Sequence, residues 1–192
     1  GVGIDTKKFA PIHIEDKHEV RFNLSLPENT TMILSVGELS ERKNHELAIK
    51  ALSKFKGKID FVYYIVGKGP LEDRLNKLIK ELDLEKQVIL LGYRNDISSL
   101  CNAADLFVFP SFQEGLPVAL MEAIASKTCA IASNIRGNEE LVDNKCLFDS
   151  NDEVSLVSRL NDYWEGKLDD SVELNYKNLE MFALDSVNSK ME

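Results

Sequence analysis

Along the middle of the chain the apolar positions switch repeatedly between two periods. Runs rich in Ile, Leu, Val, Phe and Tyr, from Thr31 to Gly37, Asp60 to Val66 and Gln87 to Leu91, read as strands buried on both faces. Between them the apolar residues recur at helical spacing, as in Asn44 to Phe55, where Leu47, Ala48, Ala51, Leu52 and Phe55 share one face. Leu71 to Leu82 predicts a charged amphipathic helix and Ile97 to Ala103 a short one. A strand from Leu106 to Phe109 follows, then a helix starting near Pro117, whose fixed φ suits a first helical position. A strand from Thr128 to Ser133, a helical turn from Asn138 to Val142, a short strand from Lys145 to Phe148 and a helix from Asp152 to Trp164 complete the series.

Strands alternating with helices imply parallel β-α-β units, hence an α/β fold with a Rossmann-like, doubly wound parallel sheet of about six strands. If the strand order is 3-2-1-4-5-6, the first and fourth strands are neighbours at the switch point, where ligands bind beyond the carboxyl ends. The loops there are Gly37 to Asn44 and Pro110 to Pro117, so that order sets Lys43 and Glu114 across one crevice. Residues 1–165 are expected to form this domain, with an N-terminal loop to about Asn29 that holds one short helix around Glu15 to Leu24. Residues 166–192 read as a helical extension after a linker, with Leu179, Phe182, Ala183, Val187 and Met191 spaced to pack against a partner.

Composition narrows the functions. A net charge of -9 over 192 residues argues against a general binder of nucleic-acid backbones, which needs many Lys and Arg contacts. No apolar run approaches the roughly 20 residues that span a bilayer, and the first residues lack the apolar core of a signal peptide, so a soluble chain is expected. Cys101, Cys129 and Cys146 stand singly in apolar segments without a C-x-x-C pair, as buried thiols of a reducing cytoplasm do. No metal-ligand spacing and no nucleophile dyad is legible, and His45 reads as helix-start packing rather than as a base.

The chemistry gathers at the strand ends. Ser111-Phe-Gln-Glu-Gly-Leu-Pro117 presents Gly115 and backbone N–H groups at a helix start, which favours anions. Glu114 there either binds a polar ligand or caps the helix. Glu122, with seven residues between it and Glu114, lies inside an otherwise apolar helix and is either a buried carboxylate that needs a partner or the one solvent-facing position of its helix. Arg42 and Lys43 precede another helix and suit a phosphate clamp. Gly67-Lys68-Gly69-Pro70 lacks a known phosphate-loop pattern, so Lys68 either lines the crevice or sits on a surface turn. Asn134-Ile-Arg-Gly-Asn138 forms the third such turn.

Seven segments carry a resemblance: Gly3-Ile-Asp-x-x-x-Phe9, Ser35-Val-Gly-x-Leu-x-x-x-Lys43, Val66-Gly-x-Gly-Pro70, Leu91-Gly92, Ala104-Asp-x-x-x-x-Pro-Ser111, Glu114-Gly-Leu-Pro-Val-Ala-Leu-Met-Glu122-Ala, and Gly137 with Glu140-Leu-Val. In register from Gly1 to about Val142, the chain resembles the C-terminal, donor-binding domain of a retaining glycosyltransferase of family 4, one half of a two-domain GT-B enzyme. The resemblance implies that Glu114 contacts donor-sugar hydroxyls and that Lys43 binds the diphosphate. It also implies that Gly115, Leu116, Pro117 and Val118 line sugar and diphosphate, that Glu122 holds the ribose, and that backbone around Tyr93 and Arg94 cradles the base. Gly37 and Gly137 belong to the same lining. Glu38 departs from the family, which commonly has an Arg at that position, and Arg42 is the candidate substitute.

The resemblance further implies metal-independent transfer without a cofactor, from a nucleotide-diphosphate sugar, with UDP favoured over GDP. The acceptor would be a glycan or a lipid-linked sugar in bacterial polysaccharide or capsule synthesis, with no nucleic acid as partner. The acceptor-binding N-terminal domain, which would bring the enzyme to the inner membrane face, lies outside this sequence, so this fragment alone is expected to bind donor and transfer little. A non-catalytic nucleotide-sugar binding module and a sugar-nucleotide epimerase domain are the alternatives.

Overall fold

The computed structural model describes residues 5–27 and 29–188. Six strands, β1 (Thr31–Val36), β2 (Phe61–Val66), β3 (Val88–Gly92), β4 (Leu106–Phe109), β5 (Cys129–Ser133) and β6 (Leu147–Phe148), form one all-parallel sheet in the order β3-β2-β1-β4-β5-β6. The helices are α1 (Ile14–Asn23), α2 (His45–Ser53), α3 (Glu72–Glu81), α4 (Ile97–Ala103), α5 (Val118–Ala125), α6 (Glu153–Trp164) and α7 (Ser171–Asn188). The chain runs outward from β1 in both directions, and the helices fall into two packed groups. α2 packs on α3 and α6, while α4 packs on α1 and α5, and α5 on α7. The strand order that the crevice required is present.

Burial follows position in the sheet. Met32, Ile33 and Leu34 of β1, all of β4 and all of β5 are buried, because these central strands carry helices on both faces. β3 departs from the expectation for the first three strands: only Val88 is buried, since β3 is an edge strand paired to β2 alone. β6 is shorter than expected because Asp143 accepts a hydrogen bond from the Lys145 N–H at 3.2 Å and winds residues 144–146 into a tight 3₁₀ turn. Asn138 to Val142 forms a single turn, closed by the Asn138 carbonyl, which accepts from the Leu141 and Val142 amides.

Both ends of the chain are fastened to this sheet. Asp105, at the foot of β4, accepts hydrogen bonds from Arg21, from Lys17 at 3.4 Å and from the Met32 N–H at 2.8 Å, which pins α1 across β1 and β4. The stretch ahead of α1 lies along α4. Ser98 donates to the Lys8 carbonyl at 2.5 Å, and Asn102 bonds the Ile12 N–H at 3.0 Å and the Ala10 carbonyl at 3.3 Å. At the other end Leu168 and Leu179 are buried, and α7 packs on α5, so part of the partner expected for the terminal helix is in this chain. Gly3, Ile4 and Met191, named in the sequence patterns, lie outside the described residues.

The turns after β1, β2 and β3 are laced together. The Gly37 N–H donates to the Val66 carbonyl and the Gly67 N–H to the Gly92 carbonyl, each at 2.9 Å, and the Leu39 N–H donates to the Lys68 carbonyl at 3.1 Å. Gly67 holds φ +150, and a Cβ placed on it would stand 1.8 Å from the Gly37 carbonyl oxygen. No side chain fits there without displacing the turn that leads into the crevice. Gly67→Ala is therefore expected to lower stability by about 2–4 kcal/mol, read as a shift of the urea midpoint. An unchanged midpoint would show that the two turns are not in contact in solution.

Candidate functional site

The crevice lies beyond the carboxyl ends of β1 and β4. After β1, residues 41–43 form one 3₁₀ turn that ends at Asn44 in left-handed geometry, φ 51 and ψ 36. The Asn44 amide donates to the Ser150 carbonyl at 3.0 Å and holds the turn against the body of the domain. The Phe112 N–H donates to the Arg42 carbonyl at 2.8 Å, so the loops after β1 and β4 are stitched backbone to backbone. The register between Arg42, Lys43 and the Ser111–Pro117 turn is thereby set before any side chain is considered.

Lys43 reaches across with its Nζ 2.7 Å from Glu114 Oε1 and 5.0 Å from the centroid of the Phe109 ring. Its stem lies over Gly37, where a Cβ would stand 3.1 Å from Lys43 Cδ and Cε, so Gly37 is the space the lysine uses. Arg42 Nη1 donates to Glu114 Oε2 at 3.1 Å and to the Gln113 carbonyl at 3.0 Å. Both oxygens of Glu114 are thus held by cations. The Glu114 side chain is 5% exposed, Lys43 12% and Arg42 46%, so the inner pair is close to fully desolvated and the outer one faces water. A pair this deep holds because each charge has a partner, and removing one leaves the other buried and unpaired.

That geometry rules out Glu114 as the cap of the helix it precedes. α5 has no side-chain cap, because Glu114 turns away from it toward the cations. The Gly115, Leu116, Ala119 and Leu120 N–H groups donate to no acceptor among the described residues. The Val118 N–H is spent on the Leu116 carbonyl at 2.9 Å, and Pro117 has none, so of the four residues that the resemblance places along the ligand only Gly115 and Leu116 keep open donors. The turn after β5 closes on this helix start: Gly137 has φ +91, and a Cβ there would lie 3.6 Å from Pro117 Cδ. Ser133, donating to the Ser111 carbonyl at 2.6 Å, ties β5 to the same turn.

Glu122 is half-buried on α5, and no side chain among the described residues pairs with its carboxylate. Burial pushes its pKa up, with Lys8 drawing it back, and its charge adds to the burial that raises the Cys101 thiol. Lys8 is a neighbour the sequence gave no reason to suspect, since the stretch before α1 has no periodicity. Tyr93 is 76% exposed at the end of β3. The Arg94 side chain instead grips Asp96 at 2.8 and 2.6 Å and lines a cavity of about 480 Å³ beside α1.

Two further residues have definite places. His45 is buried with both ring nitrogens unpartnered among the described residues, and burial followed by the Lys43 charge lowers its pKa to about 4, so the ring is neutral packing beneath the loop. Glu38 and Lys68 are exposed. Among the described residues no three His, Cys, Asp or Glu side chains gather closely enough to hold a metal ion, and no helix is long and apolar enough to cross a membrane. The arrangement offers paired cations and free amides to an anion, and two carboxylates to hydroxyl groups.

Comparison with known proteins identifies the family. The family described as glycosyl transferases group 1 matches residues 16–179. The chain is 36% identical over 165 residues to the UDP-Gal:alpha-D-GlcNAc-diphosphoundecaprenol alpha-1,3-galactosyltransferase of Escherichia coli, covering 82% of this chain and 42% of that protein. It is 35% identical over 150 residues to an N-acetylgalactosaminyltransferase of Campylobacter jejuni acting on N-acetylgalactosamine-N,N'-diacetylbacillosaminyl-diphospho-undecaprenol, covering 76% and 40%. The chain therefore spans about two fifths of the length of these curated relatives. Among solved structures, HepE of Anabaena in complex with UDP and glucose superposes with a TM-score of 0.84 at 22% identity, over 98% of this chain and 54% of that one. The C-terminal domain of a group 1 family protein from Francisella tularensis superposes with 0.80 at 23% identity, over 93% and 97%. The fold is that of the C-terminal half of GT-B glycosyltransferases, and the chain belongs to the glycosyl transferases group 1 family.

Proposed function

We propose that this chain is the donor-binding half of a retaining glycosyltransferase of family 4 that takes its sugar from a nucleotide diphosphate, UDP before GDP. The observation that carries the reading is Glu114, drawn off the helix it precedes and held by Lys43 and Arg42 at the strand-order switch point. A sugar nucleotide laid there would put its diphosphate on Lys43, Arg42 and the free amides of Gly115 and Leu116. Its sugar hydroxyls would meet Glu114, its ribose Glu122, and its base the backbone at Tyr93 and Arg94. Arg42 takes the part of the arginine that Glu38 replaces, since its guanidinium reaches the crevice while Glu38 faces solvent.

In transfer, the bond from the sugar's anomeric carbon to the diphosphate oxygen breaks, and a bond to the acceptor hydroxyl forms on the same face. The acceptor proton passes to the departing diphosphate, whose charge Lys43, Arg42 and the helix-start amides stabilise without a metal or cofactor. The acceptor, a glycan or a lipid-linked sugar of bacterial polysaccharide synthesis, would bind to an N-terminal domain supplied by the longer protein at the cytoplasmic membrane face. The relatives support this: one is named for UDP-galactose, and both curated relatives are named for diphosphoundecaprenol-linked substrates. The domain alone would bind donor and transfer little.

Calorimetric titration of the 192-residue chain with UDP, GDP and ADP tests the donor site. Binding of UDP, with a Kd below about 1 mM, is the expected result, and no binding of any of the three well above that concentration would overturn it. Glu122 gives an independent check. Its folded pKa is raised above the ordinary value of 4.5, so the ionised carboxylate is less favourable in the folded than in the unfolded chain. The stability linked to this group is present in full below that ordinary value and is lost as the pH rises through the raised one. Glu122→Gln is therefore expected to raise Tm at pH 7, with the gain closing as the pH falls toward the ordinary value, while Glu122→Ala weakens UDP binding by about 1–3 kcal/mol. Melting curves that stay parallel at all pH values, together with unchanged UDP affinity, would return Glu122 to a plain surface position.

A further inference from the structure

Resting on the donor-site reading, one feature of the crevice goes beyond it. The cations that a diphosphate needs are already occupied. Lys43 Nζ stands 2.7 Å from one oxygen of Glu114 and Arg42 Nη1 3.1 Å from the other. Among the described residues neither cation pairs with any other carboxylate. The Glu114 side chain is 5% exposed, so it sits inside the clamp rather than over its mouth. A diphosphate arriving at Lys43 meets a fixed negative charge on the same ammonium group, and like charges at that separation repel strongly where water is excluded.

Gly115, the next residue, is exposed, and a Cβ placed on it would meet nothing within 4 Å, so the backbone beside Glu114 is not packed against the body of the domain. Displaced from both cations, Glu114 needs new hydrogen-bond donors, because a buried charge without partners is costly. Donor-sugar hydroxyls supply them. A nucleotide diphosphate that has lost its sugar does not.

We infer that Glu114 is a built-in counter-ion of the diphosphate clamp, exchanged for the diphosphate on binding and held in its displaced position by the sugar. The clamp then favours the intact donor over the spent nucleotide. The sugar-bearing ligand satisfies both the cations and the released carboxylate. The product leaves the carboxylate unpaired, and Glu114 returns to Lys43 and Arg42 as the nucleotide departs. Glu114 touches substrate and also sets which ligand the clamp retains.

The test is titration of the wild-type chain, Glu114→Gln and Glu114→Ala with UDP and with inorganic pyrophosphate, after melting curves establish that each variant folds. Both variants are expected to bind both ligands at least about tenfold more tightly than wild type, since the competing charge is gone. Affinity equal to or weaker than wild type in a folded variant overturns the inference, while UDP binding by wild type leaves the donor reading standing. No binding of UDP, GDP or pyrophosphate by any of the proteins removes both. A readout on the wild type needs no variant. The Glu114 side-chain carboxyl carbon, followed by carbon-13 NMR, is expected to shift on saturation with UDP as it loses both cations, and an unmoved resonance contradicts the exchange.

Discussion

The Glu114 carboxylate, shared by Lys43 and Arg42, is the interaction on which the site depends. It is a buried ion pair, and such pairs contribute little net stability after desolvation. What it does is fix geometry: it draws the loop after β4 onto the loop after β1 and leaves the first amides of α5 without a side-chain cap. A helix start without a cap and a clamp with its own anion are two sides of one arrangement. The uncapped amides stay open to an anionic ligand, and the cations open to it when Glu114 gives way.

The fold makes this pair possible. Reversal of the strand order between β1 and β4 leaves their carboxyl ends side by side with no helix crossing between them. Gly67 lets the turn after β2 approach the one after β1, Gly37 makes room for the Lys43 stem, and the Phe112 amide on the Arg42 carbonyl stitches the loops after β4 and β1. Asp105 anchors α1 at the opposite end of the same two strands, so the rigid foot and the polar crevice share one pair of strands. Glu122 is the exception to economical packing. A half-buried, unpaired carboxylate on a helix of Ala, Leu, Met and Ile disfavours the fold at neutral pH, as positions retained for ligand binding commonly do.

Most of the architecture was legible because it is written in periodicity: the central strands are nearly continuous apolar runs, and helices such as α2 and α3 have one apolar face. β3 misled because an edge strand and a central strand can carry the same apolar residues, and only the strand order tells them apart. β6 was overdrawn because Asp143 captures the local amide, a side-chain choice that hydrophobicity does not report. In the site, Lys43 and Glu114 could be paired from topology alone, since both end central strands. The dual hold on Glu114 could not, because it depends on the path of the Arg42 side chain. The approach of Lys8 to Glu122 was hidden in an aperiodic stretch, and the loss of the Val118 amide in a turn of the backbone. Arg94 shows the converse: its side chain is committed to Asp96, a pairing that its place in the motif did not announce.

The most direct measurement is a crystal structure of the chain with UDP. The account predicts diphosphate oxygens within about 3 Å of Lys43 Nζ and of the Gly115 or Leu116 amide, with the ribose against Glu122 and Glu114 turned off the cations. UDP seated instead in the cavity between α1 and the turn after β3, with Lys43 still bonded to Glu114, would contradict it.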